Sequence, residues 1–454
     1  MHSVQYAECV QDYLRLADQV AADIAAGSLR AGDRLAPQRQ FARQHAVATS
    51  TAARVYAELI RRDLAVGEVG RGTFVRAGRQ PVAGGTGAGG AALVNLAFNY
   101  PILADQGATL AKSLGALMKP DLVAAAIQPV GSGGTAAVQD LTAAFLTRAG
   151  WQPRPADVHF TGTGRQAIAA AIAALMPRGG RLGVEALTYP MVQTLAARLG
   201  VRLVPLAMDE SGLLPAALAA AHRRDGLDAV YLQPTLHNPL GITMPPGRRA
   251  EIADALDRLD LYAIEDAVYS FLRDDPAPLA AHAAERTIFV DSLSKRVAPG
   301  LTTGFAVAPA ALADAIAGGI RSGGWAASGF ALTAAAHWFA DGTAQALTAA
   351  KRADAAARQR IAAAQLAGLK VGADPVSYHC WWELPAPWRA DTFVAAAAQL
   401  GIAVTPAAAF AVSPGQAPSA VRLALASPPA PALGSALQAL ARLARAAPAD
   451  VLED

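Results

Sequence analysis

TIFVDSLSKRVAPGL, residues 287–301, decides how the rest of the chain is read. It begins as an apolar run of a length that suits a buried strand, then turns through Ser292 and Ser294 to Lys295. A lysine shielded from water at a strand end has a nucleophilic amine that can form a Schiff base with an aldehyde. The spacing Ser-x-x-Lys also occurs in serine acyl-enzymes, but the other motifs of that class are missing. Two further stretches have the same form: 261–269 (LYAIEDAVY) runs into Glu265, Asp266 and Tyr269, and 229–241 (AVYLQPTLHNPLG) runs into His237, Asn238 and Gly241. Strand patterns at 157–161, 181–185 and 201–205 and helix patterns at 165–175 and 246–259 complete the alternation. Such alternation predicts an α/β domain with a mostly parallel sheet buried on both faces. A ligand then belongs beyond the carboxyl ends of the strands, where Lys295, Asp266 and Asn238 fall.

Taken in order, Asn-Pro-x-Gly at 238–241, Asp-x-x-Tyr at 266–269 and Ser-x-Ser-Lys at 292–295 resemble fold type I enzymes of the aspartate aminotransferase superfamily. The resemblance implies pyridoxal 5'-phosphate as cofactor and a smaller C-terminal α+β subdomain. It makes Lys295 the Schiff-base lysine and sets Asp266 against the pyridine nitrogen, which keeps the ring protonated and electron-withdrawing. Asn238 and Tyr269 then contact the phenolic oxygen, and Tyr189, in Leu187-Thr188-Tyr189-Pro190, stacks on the ring. Thr163, Gly164, Arg165, Ser292 and Ser294 complete the cofactor contacts. Arg422, in Val421-Arg422-Leu423, clamps a carboxylate, for which its fork of donors is suited.

One position departs from that pattern. Relatives carry an arginine seven residues after the lysine, where this chain has Thr302. The family's tyrosine before a Pro and Gly segment is likewise not evident around 127–134. Arg165 is expected to compensate, because it opens a helix whose N–H groups and dipole already favour a phosphate. The same segment, 161–167 (TGTGRQA), also reads as G-x-G-x-x-A, a weak dinucleotide signal. Glu185 is the acid nearest the expected ribose position, and it lies in the segment already matched to the stacking loop.

The chain's 454 residues exceed what one hydrophobic core serves, so at least two domains are expected. Residues 77–92 (AGRQPVAGGTGAGGAA) read as a flexible glycine-rich linker between an N-terminal domain, 1–76, and the body, 93–454. The net charge of +3 excludes a polycation. Charge is nevertheless uneven: between Arg30 and Arg76 nine arginines face four carboxylates, a net of +5, which leaves −2 on the other 407 residues.

In the N-terminal segment, three- and four-residue spacing of Val10, Tyr13, Ala17, Val20 and Ile24 predicts a helix ending at Gly27. A second helix is expected from Pro37 to His45. A third should be capped by the hydroxyl of Thr49 or Ser50 and run to Arg62, followed by strands 65–69 and 73–76 around a Gly70-Arg71-Gly72 turn. Three helices and a hairpin make a winged helix-turn-helix. The sequences at 32–39 (GDRLAPQR), 49–59 (TSTAARVYAEL) and 70–75 (GRGTFV) are similar to the DNA-binding domain of GntR regulators, and the whole chain resembles their MocR subgroup. On this reading Arg39, Arg43, Thr49, Ser50, Thr51, Arg54 and Arg71 face double-stranded DNA.

Membrane spans are not expected. Alanine inflates the 53% hydrophobic content, and the longest uncharged stretch, 392–421, is broken by glycine and proline. No signal peptide or metal site is read. Two distant cysteines, Cys9 and Cys380, fit a reducing cytoplasm. Three functions follow: a homodimeric regulator sensing an amine, amino acid or B6 vitamer; a working aminotransferase with an accessory reader; or a regulator whose body has lost the cofactor.

Overall fold

The computed structural model of the chain describes residues 2–26, 28–29, 33–62, 64–68, 72–75, 94–148, 150–413, 415–446 and 448. The N-terminal part holds helices α1 (His2–Ala25), α2 (Gln38–Gln44) and α3 (Thr49–Arg61). Strands β1 (Ala65–Glu68) and β2 (Gly72–Val75) pair antiparallel, with Val66 opposite Phe74. This is the expected winged helix-turn-helix. Its core joins Leu16 and Val20 of α1, Phe41 of α2, and Ala52, Val55 and Leu59 of α3, positions whose spacing puts them on one face of each helix. Two details differ from expectation. Ala48, not Thr49 or Ser50, is the N-cap of α3, and no side chain caps that end. The predicted linker and turn residues Gly70 and Arg71 lie outside the described residues.

The body is built on a seven-stranded sheet. Its strands are β3 (Val158–Thr161), β4 (Gly180–Glu185), β5 (Val201–Leu206), β6 (Ala229–Leu232), β7 (Tyr262–Asp266), β8 (Thr287–Ser292) and β9 (Gly304–Val307). They lie in the order β3-β9-β8-β7-β6-β4-β5, and only β9 runs antiparallel to its neighbours. Every residue of β6, β8 and β9 is buried, as a sheet covered on both faces requires. The covering helices include α4 (Gly164–Leu175), α5 (Pro190–Arg198) and α6 (Pro246–Leu259). Because β8, β7 and β6 are adjacent, the residues that follow them converge at one edge.

After β8 the four-residue helix α7 (Leu293–Arg296) carries Lys295 and packs against the long helix α8 (Thr343–Gln365). Helix α8 leads into the smaller subdomain, an antiparallel sheet of β10 (Val371–Ala373), β11 (His379–Glu383), β12 (Thr405–Pro406) and β13 (Ala420–Ala424) in the order β10-β11-β13-β12. Helices α9 (Ala390–Gln399) and α10 (Ala430–Arg445) flank it. A strap, 94–100, starts beside Ile402 and Ala403 and continues to the sheet edge. Among the described residues no helix is long and apolar enough to cross a membrane.

Candidate functional site

At the carboxyl edge of the sheet the two parts of the body enclose a cavity of about 1170 Å³. Lys295, Asp266, Asn238, Tyr269, Tyr189 and Arg422 all line it, with Thr163, Gly164, Arg165, Ser292 and Ser294. All ten expected cofactor residues and the expected carboxylate clamp therefore meet in one space.

Each is held by its own neighbours. Asp266 ends β7, and its Oδ2 accepts from Tyr231 Oη at 2.6 Å and Gln233 Nε2 at 3.0 Å, while Oδ1 accepts from Val268 N at 3.1 Å. Burial outweighs these bonds and pushes the carboxyl up to about 6. Burial pushes the Lys295 amine down to about 7, helped by the charges of Arg165 and Arg422 and opposed by Asp266. Lys295 Nζ donates to Asn99 O and lies 5.0 Å from the centre of the Tyr100 ring. Burial also pushes Tyr269 up to about 12, against the pull of Arg422.

Arg422, on β13, is buried. It donates to Asn238 Oδ1 at 3.3 Å, to Thr405 Oγ1 at 3.1 Å and to Ala97 O. Its Nε is buried at the cavity wall with no hydrogen-bond partner among the described residues. A buried polar atom of this kind is open to a polar ligand or a water. The turn before Asn238 places Leu236 at φ 51°, a left-handed conformation for a fully buried residue that no sequence signal announces.

The end of the cavity where a phosphate is expected is built on the start of α4. Thr163 caps α4 by accepting from Gln166 N, which leaves the first N–H groups of the helix directed outward. A Cβ on Gly164 would lie 3.0 Å from Ser292 Oγ, so helix and strand end approach closely and a side chain there would press on Ser292. Arg165 Nε lies 3.2 Å from Tyr189 Oη, and Ser294 Oγ lies 2.8 Å from Thr302 Oγ1. Glu185, weighed as a ribose ligand, is buried instead, accepts from Gln233 N at 3.0 Å and lies 3.2 Å from His237 Nε2. The dinucleotide reading therefore falls.

Several contributors carry no motif. Tyr231 and Gln233 sit within or just after an apolar strand, and Asn99 and Tyr100 belong to the strap. Polar residues at the end of β6 were the available hint. Contacts made by the main chain of the strap leave no signature in a sequence.

In the N-terminal domain Arg39, Arg43, Thr49, Ser50 and Arg54 are exposed. Thr51 is not: at 9% exposure it packs inward with Ala52 and Val55, because α3 turns that position toward α1 and α2. It is withdrawn from the DNA-facing set, and Arg71 lies outside the described residues. Arg61 and Arg62 are taken by Glu58, and Arg62 also by Asp18, while among the described residues of the basic segment Arg34, Arg39, Arg43 and Arg54 are exposed.

The two domains touch. Val66 and Gly67 of the wing face Ala408, Val412 and Gly415, and a Cβ on Gly67 would lie 2.8 Å from Gly415 Cα. The Arg389 guanidinium stands 3.4 Å from the centre of the Phe74 ring. Residues Pro406, Ala408, Ala409 and Phe410, on the segment that seats the wing, also wall the large cavity.

A winged helix-turn-helix joined to a fold type I body defines the class of protein: a DNA reader fused to an aminotransferase-like domain, the MocR architecture. Residues 123–440 match the family profile Aminotransferase class I and II, and the chain belongs to that family; residues 12–75 match the profile Bacterial regulatory proteins, gntR family. The chain is 27% identical over 437 residues to the uncharacterized HTH-type transcriptional regulator YdeF of Bacillus subtilis, covering 92% of this chain and 90% of that one. It is 26% identical to the HTH-type transcriptional regulator TauR of Rhodobacter capsulatus, over 66% of this chain and 68% of that one. Among solved structures, an archaeal alanine:glyoxylate aminotransferase superposes with a TM-score of 0.69 at 19% identity, covering 78% of this chain and 91% of that one. The aspartate aminotransferase of Thermus thermophilus with maleate gives 0.67 at 20%, covering 77% and 91%. These likenesses establish the fold of the body.

Proposed function

We propose that the protein is a cytoplasmic transcription regulator that binds double-stranded DNA through its N-terminal domain and senses a small amine, amino acid or B6 vitamer through a pyridoxal 5'-phosphate site in its body. The observation that carries this is the convergence of Lys295, Asp266, Asn238, Tyr269 and Arg422 on one cavity in a chain that also exposes Arg39, Arg43 and Arg54 on a DNA reader. The unpartnered Arg422 Nε and the Gly164–Ser292 cradle fit such a group.

In this reading Lys295 holds the cofactor's aldehyde carbon, Asp266 its pyridine nitrogen, Asn238 and Tyr269 its phenolic oxygen, and Tyr189 its ring face. Arg165, with the start of α4, Ser292 and Ser294, holds the phosphate in place of the charge that Thr302 lacks. The bound cofactor supplies a reactive carbonyl and an electron sink for amines. The chain's residues do the rest: Arg422 orients an incoming carboxylate, and the depressed Lys295 amine is available as a neutral nucleophile near pH 7. Ligand occupancy reaches the reader through 406–413, which walls the cavity and seats the wing. It shifts the arrangement of the two domains only by its differential affinity for them. A homodimer is expected, since helix-turn-helix readers pair on two half-sites.

The test is reconstitution. Purified protein mixed with pyridoxal 5'-phosphate is expected to develop the visible absorbance band of the lysine-linked cofactor, lost in Lys295→Ala, and to bind DNA in a salt-sensitive way. Absence of the band favours a regulator without cofactor. Turnover with a keto acid and no salt-sensitive DNA binding favours an aminotransferase.

A further inference from the structure

Lys351 is fully buried on α8, lies outside the cavity wall and has no place in the mechanism above. Its Nζ donates to Lys295 O at 3.0 Å and to Val297 O. Gln106 Nε2 donates to the same Val297 oxygen at 2.8 Å. Helix α7 is only four residues long, so its last carbonyls have no partners within the helix, and a buried amine with several donors satisfies them from the side. On its other side Lys351 is anchored to the small subdomain. Tyr378 Oη stands 2.9 Å from both Lys351 O and Asp354 Oδ2. Asp354 accepts from Arg358 Nε at 2.7 Å, and Arg358 Nη1 donates to Leu425 O and Pro428 O, just beyond the strand that bears Arg422.

We propose that Lys351 is the positioning residue of Lys295: its amine fixes the main chain that carries Lys295 and ties it, through Tyr378, Asp354 and Arg358, to the part of the molecule that carries Arg422. The proposal rests on the reading of Lys295 as the cofactor lysine. The geometry favours this over a merely space-filling role, because an apolar side chain of the same length would leave Lys295 O without that donor. It would leave Val297 O with Gln106 alone.

Charge adds to the effect. Burial pushes Lys351 down to about 7, with Lys295 pushing further and Asp354 opposing, so the two amines repel each other when both are protonated. Lys295 itself faces Arg165 and Arg422 as like charges and Asp266 as the opposite one. Removal of Lys351 therefore both loosens the turn and relieves a repulsion, and each change lets Lys295 hold its proton to higher pH.

The experiment uses the full chain without added cofactor. Trace labelling with acetic anhydride from about pH 6 to 11, read by peptide mass spectrometry, follows each amine separately. With five lysines in the chain, the labelled peptides are easily told apart. In Lys351→Met the Lys295 reactivity at neutral pH is expected to fall about fivefold as its midpoint climbs toward that of a free lysine. Affinity for pyridoxal 5'-phosphate should fall about tenfold from loss of the buried hydrogen bonds. Lys351→Arg, which keeps donors and charge, should restore most of both. If methionine unfolds the chain, as thermal melting would reveal, Lys351→Gln is read in its place and is expected to change both in the same direction. An unshifted Lys295 midpoint together with unchanged cofactor affinity in the folded variant overturns the proposal. A depressed Lys295 midpoint in a wild-type chain that binds no cofactor overturns the cofactor reading and leaves the positioning role intact.

Discussion

Lys295 and Asp266 have shifts of opposite consequence. The folded Lys295 and Lys351 amines titrate near 7, well below a free lysine, so between about pH 7 and 10.5 the unfolded chain binds more protons than the folded one. Stability of the cofactor-free protein is therefore expected to rise as pH increases through that window, which thermal melts at stepped pH would check. Asp266, raised to about 6, works the other way: its folded form keeps a proton that the unfolded chain has lost, so its contribution falls as pH rises from about 4 to 6. The rate at which added pyridoxal 5'-phosphate is captured should climb to a plateau just above pH 7, and a rate still climbing near pH 10 would contradict the depressed amine. Both residues were legible because lysine and aspartate at the ends of apolar runs are conspicuous. Tyr231, Gln233 and Lys351 were not. They act through hydrogen bonds to residues far away in sequence, and no motif marks them: a polar residue at the end of β6 is the one hint for Gln233, and Lys351 looks like any helix position.

At the level of elements, the start of α4 is the sharpest case. Replacing Arg165 with alanine is expected to weaken cofactor binding about tenfold if it supplies the phosphate charge, as a lost charge-assisted bond would. Equilibrium titration followed by absorbance measures it, and unchanged affinity would sink the assignment. Gly164→Val should act at the same place by crowding, since even a Cβ reaches 3.0 Å from Ser292 Oγ. Most element boundaries were legible to within a residue or two. The pattern at 246–259 matches helix α6 because proline opens it, in the position where a missing N–H matters least. Helix α3 is less plain in the sequence. Its threonines and serine look like caps, but Ala48 holds the capping position, and the 3.6-residue turn sends Thr51 inward while Thr49, Ser50 and Arg54 stay outside.

Across the whole molecule, two predictions concern communication with DNA. Arg54→Ala should weaken DNA binding for all sequences alike and reduce the slope of log affinity against log salt by about one, if Arg54 meets a phosphate. Gly67→Val should leave cofactor absorbance intact and push the wing from its seat, because the close approach to Gly415 admits no side chain. In parallel DNA-binding titrations with and without pyridoxal 5'-phosphate, the variant is expected to lose any difference that the wild type shows. The seat itself was invisible in the sequence. Two small apolar surfaces that match only after each domain has folded leave no periodicity and no motif.

The strap that crosses the cavity has one more consequence. Ala97 and Asn99 meet Arg422 and Lys295 through main-chain oxygens, which every residue type supplies. Substitutions along 95–100 can thus redecorate the wall of the cavity without removing those anchors. If the proposed sensing role holds, such a site is free over evolutionary time to change which signal it answers while its chemistry stays put, so descendants of one ancestor can diverge in vocabulary and still share a grammar.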